Sequence, residues 1–256
     1  MIKRSVVTII IVLNSIVLLG QDTLRIMSYN IRSGRESSIE AIAKFIKEQN
    51  VDIAAIQEVD QWTKRKNMPT GEGANQMAEL GYKANMIPIF CKTTDHYTQG
   101  YYGLGLLSKF PINKITKIPL PLILKDQEPR AILAVEVDIK GRPFTILNTH
   151  VGLLEEDQQA QTKFIYNYFR KIKGAKLICG DFNARPEANV MTKIVTKWSD
   201  ALPDRVNTYP NDKPRAKIDY MFYDPHSKTP IQVIYRTVMQ GIPFSDHCPC
   251  VIEVIF

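Results

Sequence analysis

The chain has 256 residues, 45% apolar and 23% charged, which excludes global disorder and leaves room for a sizeable core in one large domain or two small ones. Its formal charge of +7 is a modest basic excess that suits phosphate-bearing or anionic-membrane partners without selecting either. The four cysteines, Cys91, Cys179, Cys248 and Cys250, lack a metal-site spacing. They read as buried free thiols, with a disulfide from Cys91 to one of the others as the alternative.

Met1-Ile2-Lys3-Arg4 and the mostly apolar run from Val6 to Leu19 have the layout of a secretory signal peptide over residues 1–20. An uncleaved N-terminal anchor is the alternative, because Leu18 is a poor match for the small residue wanted before a cut after Gly20. Export is therefore expected, to the periplasm or the outside. Loss of residues 1–20 removes Lys3 and Arg4 and no acid, so 33 basic residues become 31 against 26 acidic ones, a formal +5.

The first strand runs from Thr23 to Ile31, with Asn30 at its tip. Ser37-Ser38-Ile39-Glu40 reads as a capping box ahead of a helix carrying Ile39, Ile42, Ala43 and Ile46 at helical spacing. Asp52–Ile56 is a buried strand ending at Gln57-Glu58. Thr63–Gly73 is a basic, turn-rich surface loop, followed by a short helix to Leu80 and a strand from Tyr82 to Phe90. Lys92–Gly100 is polar and reads as a mobile stretch. Leu104–Ser108 and Ile112–Ile118 are strands around the Phe110-Pro111 turn, and Ile132–Ile139 with Phe144–Asn148 is a hairpin.

Glu155–Lys173 is the longest helix, its terminal lysines matching the helix dipole. Leu177–Asp181 is a strand, and Pro186 starts a helix to about Trp198. Ile218–Tyr223, Ile231–Val238 and Cys248–Ile255 close the chain as strands. Neither repeats nor a long linker divide it, so residues 21–256 read as one domain of two packed sheets flanked by helices.

Polar residues stand at six predicted strand ends: Asn30, Glu58, His150, Asp181 with Asn183, Asp219, and Asp246 with His247. Each has an ordinary explanation. Asn30 is a turn residue, Glu58 a cap or solvated acid, and either histidine a satisfied core residue. Gly180-Asp181-Phe182-Asn183 could equally be an Asx-rich turn, although alternation on an extended backbone would aim Asp181 and Asn183 into one cleft and Phe182 into the core. Asp219, between Ile218 and Tyr220, is harder to dismiss, since an unpaired acid inside an apolar strand is costly. One shared site explains all six more economically. Glu58 with Asn30 or Asp246 offers hard oxygen ligands for Mg²⁺ or Mn²⁺, and two histidines far apart in sequence form a natural acid/base pair.

Ser28-Tyr29-Asn30-Ile31, Gln57-Glu58, Asn148-Thr149-His150, Gly180-Asp181-Phe182-Asn183, Lys217-Ile218-Asp219-Tyr220 and Ser245-Asp246-His247 resemble, in order, the motifs of the endonuclease/exonuclease/phosphatase (DNase I-like) superfamily. The resemblance spans about residues 24–254. It implies a four-layer α/β sandwich with two mostly antiparallel sheets and metal-dependent phosphoester hydrolysis at one sheet edge. By motif, Glu58 would be the main metal ligand with Asn30 assisting. Asp181 and Asn183 would position water and phosphate. His247 would be the general base, partnered by Asp219 or Asp246, and His150 the general acid. Abasic-site nucleases carry tyrosine-proline-asparagine where this chain has Asn148-Thr149-His150, which places it nearer secreted DNases, sphingomyelinases and inositol-polyphosphate phosphatases. Glu128-Pro129-Arg130, and Thr208-Tyr209-Pro210 ahead of Lys217-Ile218-Asp219-Tyr220, resemble small bacterial phosphodiesterases. Arg130 is a candidate phosphate contact or a structural ion pair. Lys217 stands where arginine is commoner and lacks the bidentate fork.

The expected function is a secreted phosphodiesterase on a small or lipid phosphodiester, acting as a monomer. The alternatives are an extracellular nuclease and an inactive binding module. Trp62-Thr63-Lys64-Arg65-Lys66 is the candidate nucleic-acid stretch, and a solvated loop is its other reading. Pro119-Leu120-Pro121-Leu122-Ile123-Leu124 reads as a buried edge, with a membrane-touching loop as the alternative.

Overall fold

A computed structural model describes residues 23–96 and 98–256; the leader expected over residues 1–20 lies outside them. The described residues form twelve strands: β1 (Thr23–Asn30), β2 (Ile53–Gln61), β3 (Ile87–Asp95), β4 (Tyr101–Ser108), β5 (Ile112–Pro119), β6 (Ala131–Ile139), β7 (Arg142–His150), β8 (Ala175–Asp181), β9 (Ser199–Asp200), β10 (Asp219–Tyr223), β11 (Gln232–Val238) and β12 (Cys250–Ile255). Helices are α1 (Ile39–Glu48), α2 (Gln76–Ala84), α3 (Glu155–Phe169) and the single turn α4 (Thr192–Val195). No described helix is long and apolar enough to cross a membrane.

The strands make two six-stranded sheets, ordered β11-β12-β1-β2-β4-β3 and β5-β6-β7-β8-β10-β9. Each has one parallel pair, β1/β2 and β7/β8, and is otherwise antiparallel. Alternation along the strands sorts the core into layers. On β1, Leu24 and Ile26 meet Leu133, Val135, Ile146 and Leu177 between the sheets. Met27, Tyr29 and Ile31 face the other way, onto Ile42 and Ile46 of α1 and Leu80 of α2. On the far side, Ile165 and Phe169 of α3 pack on Leu147, Ile178 and Phe222. The result is the expected αββα sandwich of mostly antiparallel sheets.

Local differences from the sequence reading have identifiable causes. The helix cap of α1 is Ser38 rather than Ser37, its side chain accepting from the Ala41 amide; Glu40 turns to Lys83 of α2 instead. Tyr82 belongs to α2, which continues until left-handed Asn85 stops it. Lys92–Asp95, expected in a mobile stretch, pairs with β4 as the end of β3. Helix α3 ends at Phe169, before the lysines expected to complement its dipole. Lys176 takes over, donating from Nζ to the Phe169 and Ile172 carbonyls at 3.0 and 2.5 Å. After Pro186, extended Ala188 breaks the anticipated helix into a 3-10 turn over Asn189–Met191 and then α4. Leu122 and Ile123 are exposed rather than buried, while Leu120 alone is in the core. All four cysteines are free and buried.

Two features set the sheet edges that matter. At Gly180 (φ 142°), a Cβ would fall 1.9 Å from the Thr149 carbonyl oxygen, so only glycine lets β8 run this close to β7 just before Asp181. Between the sheets, Gln57 Nε2 donates to Asn148 Oδ1 at 2.7 Å, and Asn148 Nδ2 donates back to the Ile56 and Gly105 carbonyls at 2.8 and 2.9 Å. Both side chains are fully buried. Asn148→Ala removes the donor to two buried carbonyls and the nearest acceptor of Gln57 Nε2, which keeps only longer contacts to Ser28 and Ala55, so it should destabilise the fold by about 1–3 kcal/mol in urea unfolding.

Candidate active site

The parallel pairs β1/β2 and β7/β8 present their carboxyl ends at the same end of the sandwich, where open α/β sheets place ligands. Register then sets the neighbours. His150 lies opposite Asp181, and Asp181 opposite Asp219, across three adjacent strands. From the other sheet, Asn30 ends β1 opposite Gln57. Glu58 sits where the β2/β4 register slips, at φ 55°. Such a bulge re-aims a side chain out of the strand's alternation, here toward the cleft.

The contacts close across the two sheets. Asn30 Nδ2 lies 2.9 Å from Glu58 Oε1, 3.2 Å from Asp181 Oδ2 and 3.4 Å from His247 Nε2. Asp181 Oδ2 is also 3.5 Å from His150 Nε2 and 3.6 Å from His247 Nε2. His247 Nδ1 is 3.0 Å from Asp219 Oδ2, and the Tyr209 ring packs 4.9 Å from the imidazole. Ser245 donates to the Asn30 carbonyl at 2.7 Å and its oxygen accepts from the His247 amide, which fixes the loop before β12 onto β1. The Thr208 hydroxyl accepts from the amides of Ile218 and Asp219.

Asn30, Glu58, His150, Asp181, Asp219 and His247 thus converge. The other expected residues have different places. Asn183 is left-handed (φ 50°) and does not share a strand face with Asp181. Its amide N–H holds Asp181 Oδ1 at 2.8 Å, and its side chain donates to the Val151 carbonyl. Phe182 is in the core as expected. Asp246 stands at the rim, its carboxylate paired with Arg32 Nε at 3.2 Å, so Asp219 is the acid partner of His247. Lys217 is held by Asp200 at 2.6 Å rather than offered to a phosphate. Arg130 reaches His150 Nδ1 at 2.9 Å and Glu128 at 3.3 Å. Within the candidate nucleic-acid stretch, Arg65 and Thr63 are committed to Asp60, leaving Trp62 half exposed against Tyr101. Gln57, Asn148 and Ser245 carry no separate sequence signal beyond lying within the motifs, whereas Thr208 and Tyr209 belong to the Thr208-Tyr209-Pro210 stretch that shares in the resemblance.

Burial alone would lower the His247 pKa, but Asp219 and Asp181 outweigh it and push the pKa up. Burial pushes the Asp181 carboxyl up, against the opposing effect of His247. His150 is pushed well below its ordinary value by burial and by the neighbouring Arg130 and His247, so this imidazole is neutral.

The donor set fits a hard divalent cation. Glu58, Asp181 and Asp219 bring carboxylate oxygens to one place without a thiolate, the pattern of Mg²⁺ or Mn²⁺ sites, whereas Asn30 turns its Nδ2 to the acids and its Oδ1 accepts from the Arg32 amide at 3.0 Å. Two carboxylate oxygens already accept from the partly positive Asn30 Nδ2, with His247 Nε2 3.4 Å away. Ligand atoms of Asp181, Asp219 and His247 lie within 4.8 Å of one another. Beside Glu58 opens a polar cleft of about 580 Å³, lined by Arg35, Arg65, His96, Tyr102 and Glu128 among others.

The model of the endonuclease/exonuclease/phosphatase family matches residues 27–247, nearly the whole described chain. No curated protein matches the sequence. Among solved structures, an endonuclease/exonuclease/phosphatase from Bacteroides vulgatus is similar at 20% identity and TM-score 0.73, over 91% of this chain and 98% of that one. The mannosyl-6-phosphatase of Bacteroides thetaiotaomicron aligns at 17% identity and TM-score 0.70, over 91% and 100%. The human Nocturnin catalytic domain aligns at 21% identity and TM-score 0.69, over 91% and 93%. At these identities the likeness is one of fold.

Removing the Asp219 charge should release His247. In Asp219→Asn, the imidazole titration followed by NMR in metal-free protein should move to lower pH, because the carboxylate that favours the imidazolium is gone. An unmoved titration would assign the shift elsewhere.

Proposed function

The chain belongs to the endonuclease/exonuclease/phosphatase family, whose members hydrolyse phosphoesters, and from that premise we propose that it is an exported, divalent-metal-dependent phosphodiesterase acting on a small phosphodiester. The observation that carries this reading is the meeting of Glu58 and Asn30 from one sheet with His150, Asp181, Asp219 and His247 from the other. Export rests on the basic start and apolar run of residues 1–20.

Glu58 would hold the cation with Asp181 beside it, and Asn30 would join them by turning its Oδ1 from the Arg32 amide into the site. When bound, Mg²⁺ or Mn²⁺ supplies Lewis-acid polarisation of a phosphoryl oxygen. His247, oriented by Asp219 on Nδ1, removes a proton from water at Nε2. Asp181, with its second oxygen pinned by the Asn183 amide, orients the water. His150 presents a neutral N–H to a phosphate oxygen, where a fixed donor meets developing charge.

The cleft beside Glu58 mixes guanidinium, carboxylate and amide groups and suits a polar, hydroxyl-rich substituent of the substrate. A nuclease is less well served, since Trp62 is the exposed aromatic near this edge and Arg65 is already paired. A lipid phosphodiester is a second reading, favoured by Leu122, Ile123, Leu153 and Leu154, which are exposed on loops leaving the same sheet edge.

Purified protein without residues 1–20 should hydrolyse bis-p-nitrophenyl phosphate with Mg²⁺ or Mn²⁺ and lose activity in EDTA. His247→Ala and Asp181→Ala should each lower kcat by on the order of 10²–10⁴. Turnover that survives EDTA would remove the metal mechanism. A panel of sugar phosphodiesters, lipid phosphodiesters in vesicles, and DNA should rank the first above the last; a preference for DNA would select the nuclease reading.

A further inference from the structure

Arg130 is buried behind His150, on the side away from the reacting groups, and is 8% exposed. Its Nη1 meets two acceptors, His150 Nδ1 at 2.9 Å and Glu128 Oε1 at 3.3 Å. An Nη1 nitrogen carries two hydrogens, so each acceptor receives one. Its Nε is buried without a hydrogen-bond partner. A guanidinium that leaves one buried N–H unsatisfied is held for what its other nitrogens do.

A guanidinium donates at every nitrogen, accepts at none and stays protonated. At the 2.9 Å contact the imidazole must therefore be the acceptor, with its lone pair on Nδ1. A neutral imidazole has one N–H, which then belongs to Nε2. That nitrogen faces the cleft, 3.5 Å from Asp181 Oδ2. The opposite tautomer would set an N–H of His150 against an N–H of Arg130 and a lone pair against a carboxylate oxygen, unfavourable at both ends of the ring.

We infer that Arg130 is a positioning residue that fixes His150 as the Nε2–H tautomer, so that His150 meets the phosphoryl group only as a hydrogen-bond donor. The inference rests on the phosphodiesterase reading for its purpose, but not for its geometry. Glu128 anchors the guanidinium from the other side, which gives Glu128-Pro129-Arg130 a function distinct from contacting substrate. It also separates the two imidazoles by the charge of the group behind each. Asp219 behind His247 favours a ring that takes a proton, and Arg130 behind His150 favours a ring that keeps only one.

The test reads the tautomer directly. Long-range ¹H–¹⁵N spectra of histidine-labelled protein distinguish the two nitrogens of each ring, with His150→Gln assigning its signals. The wild type should show a protonated Nε2 and an unprotonated Nδ1 for His150. Arg130→Met should give a tautomer mixture or a protonated Nδ1 and lower kcat about 10- to 100-fold with a smaller change in KM. Arg130→Lys, which keeps a cationic donor, should restore the wild-type tautomer and part of kcat. A protonated Nδ1 in the wild type overturns the inference, as does an unchanged tautomer in folded Arg130→Met. Should Arg130→Met fail to fold, the wild-type spectrum and Arg130→Lys decide it. Absence of hydrolysis by wild type on every phosphodiester would instead remove the enzymatic reading and leave the tautomer result standing.

Discussion

The site depends on two sheets staying in register across a polar contact inside an apolar core. Gln57 and Asn148 are the residues just before Glu58 and just before Thr149-His150, and they bond to each other between the sheets. Sheet packing by Leu, Ile and Val alone is tolerant of sliding, because apolar contacts have no direction. Two directed amides are less tolerant, since displacement leaves their donors unpaired in a dry interior, although Gln57 Oε1 already lacks a partner there. Through the backbone, that constraint fixes where Glu58 and His150 emerge, one to each sheet. Asn30 and Asp181 then meet at 3.2 Å as a consequence.

Gathering acids at such a place is unfavourable without compensation. Asp181 and Asp219 are nearly fully buried, and neither has a lysine or arginine among its hydrogen-bond partners. Burial raises the Asp181 carboxyl, and His247 is raised by the two carboxylates that bracket it. One imidazole and one amide nitrogen stand in for the positive charge that the oxygens call for. A divalent cation would relieve that imbalance more fully than either, which is why the same geometry that is strained as a charge distribution is well suited to a metal-dependent hydrolase.

The six strand ends are legible because the polar residues interrupt apolar runs; two packed sheets follow from many strands with few helices between them, and the four layers from the family resemblance. What escaped has a common cause: it depends on partners distant in sequence. Lys217 reads as a free cation until Asp200 is brought beside it, and Asp246 reads as a ligand until Arg32 takes its carboxylate. Asn183 should share a face with Asp181 only if the strand continues, and a left-handed turn ends it. The helix anticipated after Pro186 had good local credentials, yet extended Ala188 divides it. Arg130 reads as either a phosphate contact or a structural ion pair, and the structure places it against both Glu128 and His150, which no spacing rule reveals.

Glu58 itself illustrates how backbone strain is held at the rim. Arg32, Ser33 and Glu58 all have positive φ without being glycine, an unfavourable conformation of roughly 1–2 kcal/mol per residue. Nothing in their own side chains requires it. The cause lies in Gln76, the first residue of α2, whose amide accepts from the Asp60 N–H at 2.8 Å and donates to the Ser33 carbonyl at 2.6 Å. Ser33, Thr63 and Arg65 then bond the Asp60 carboxylate. The bulge around Glu58 and the turn after Asn30 are thereby fastened to one buried amide and one buried acid. Neither segment can relax to ordinary extended backbone without breaking bonds to the other, so Glu58 is aimed by a network that does not touch its side chain, while Asn30 is held directly through the Arg32 amide on its Oδ1.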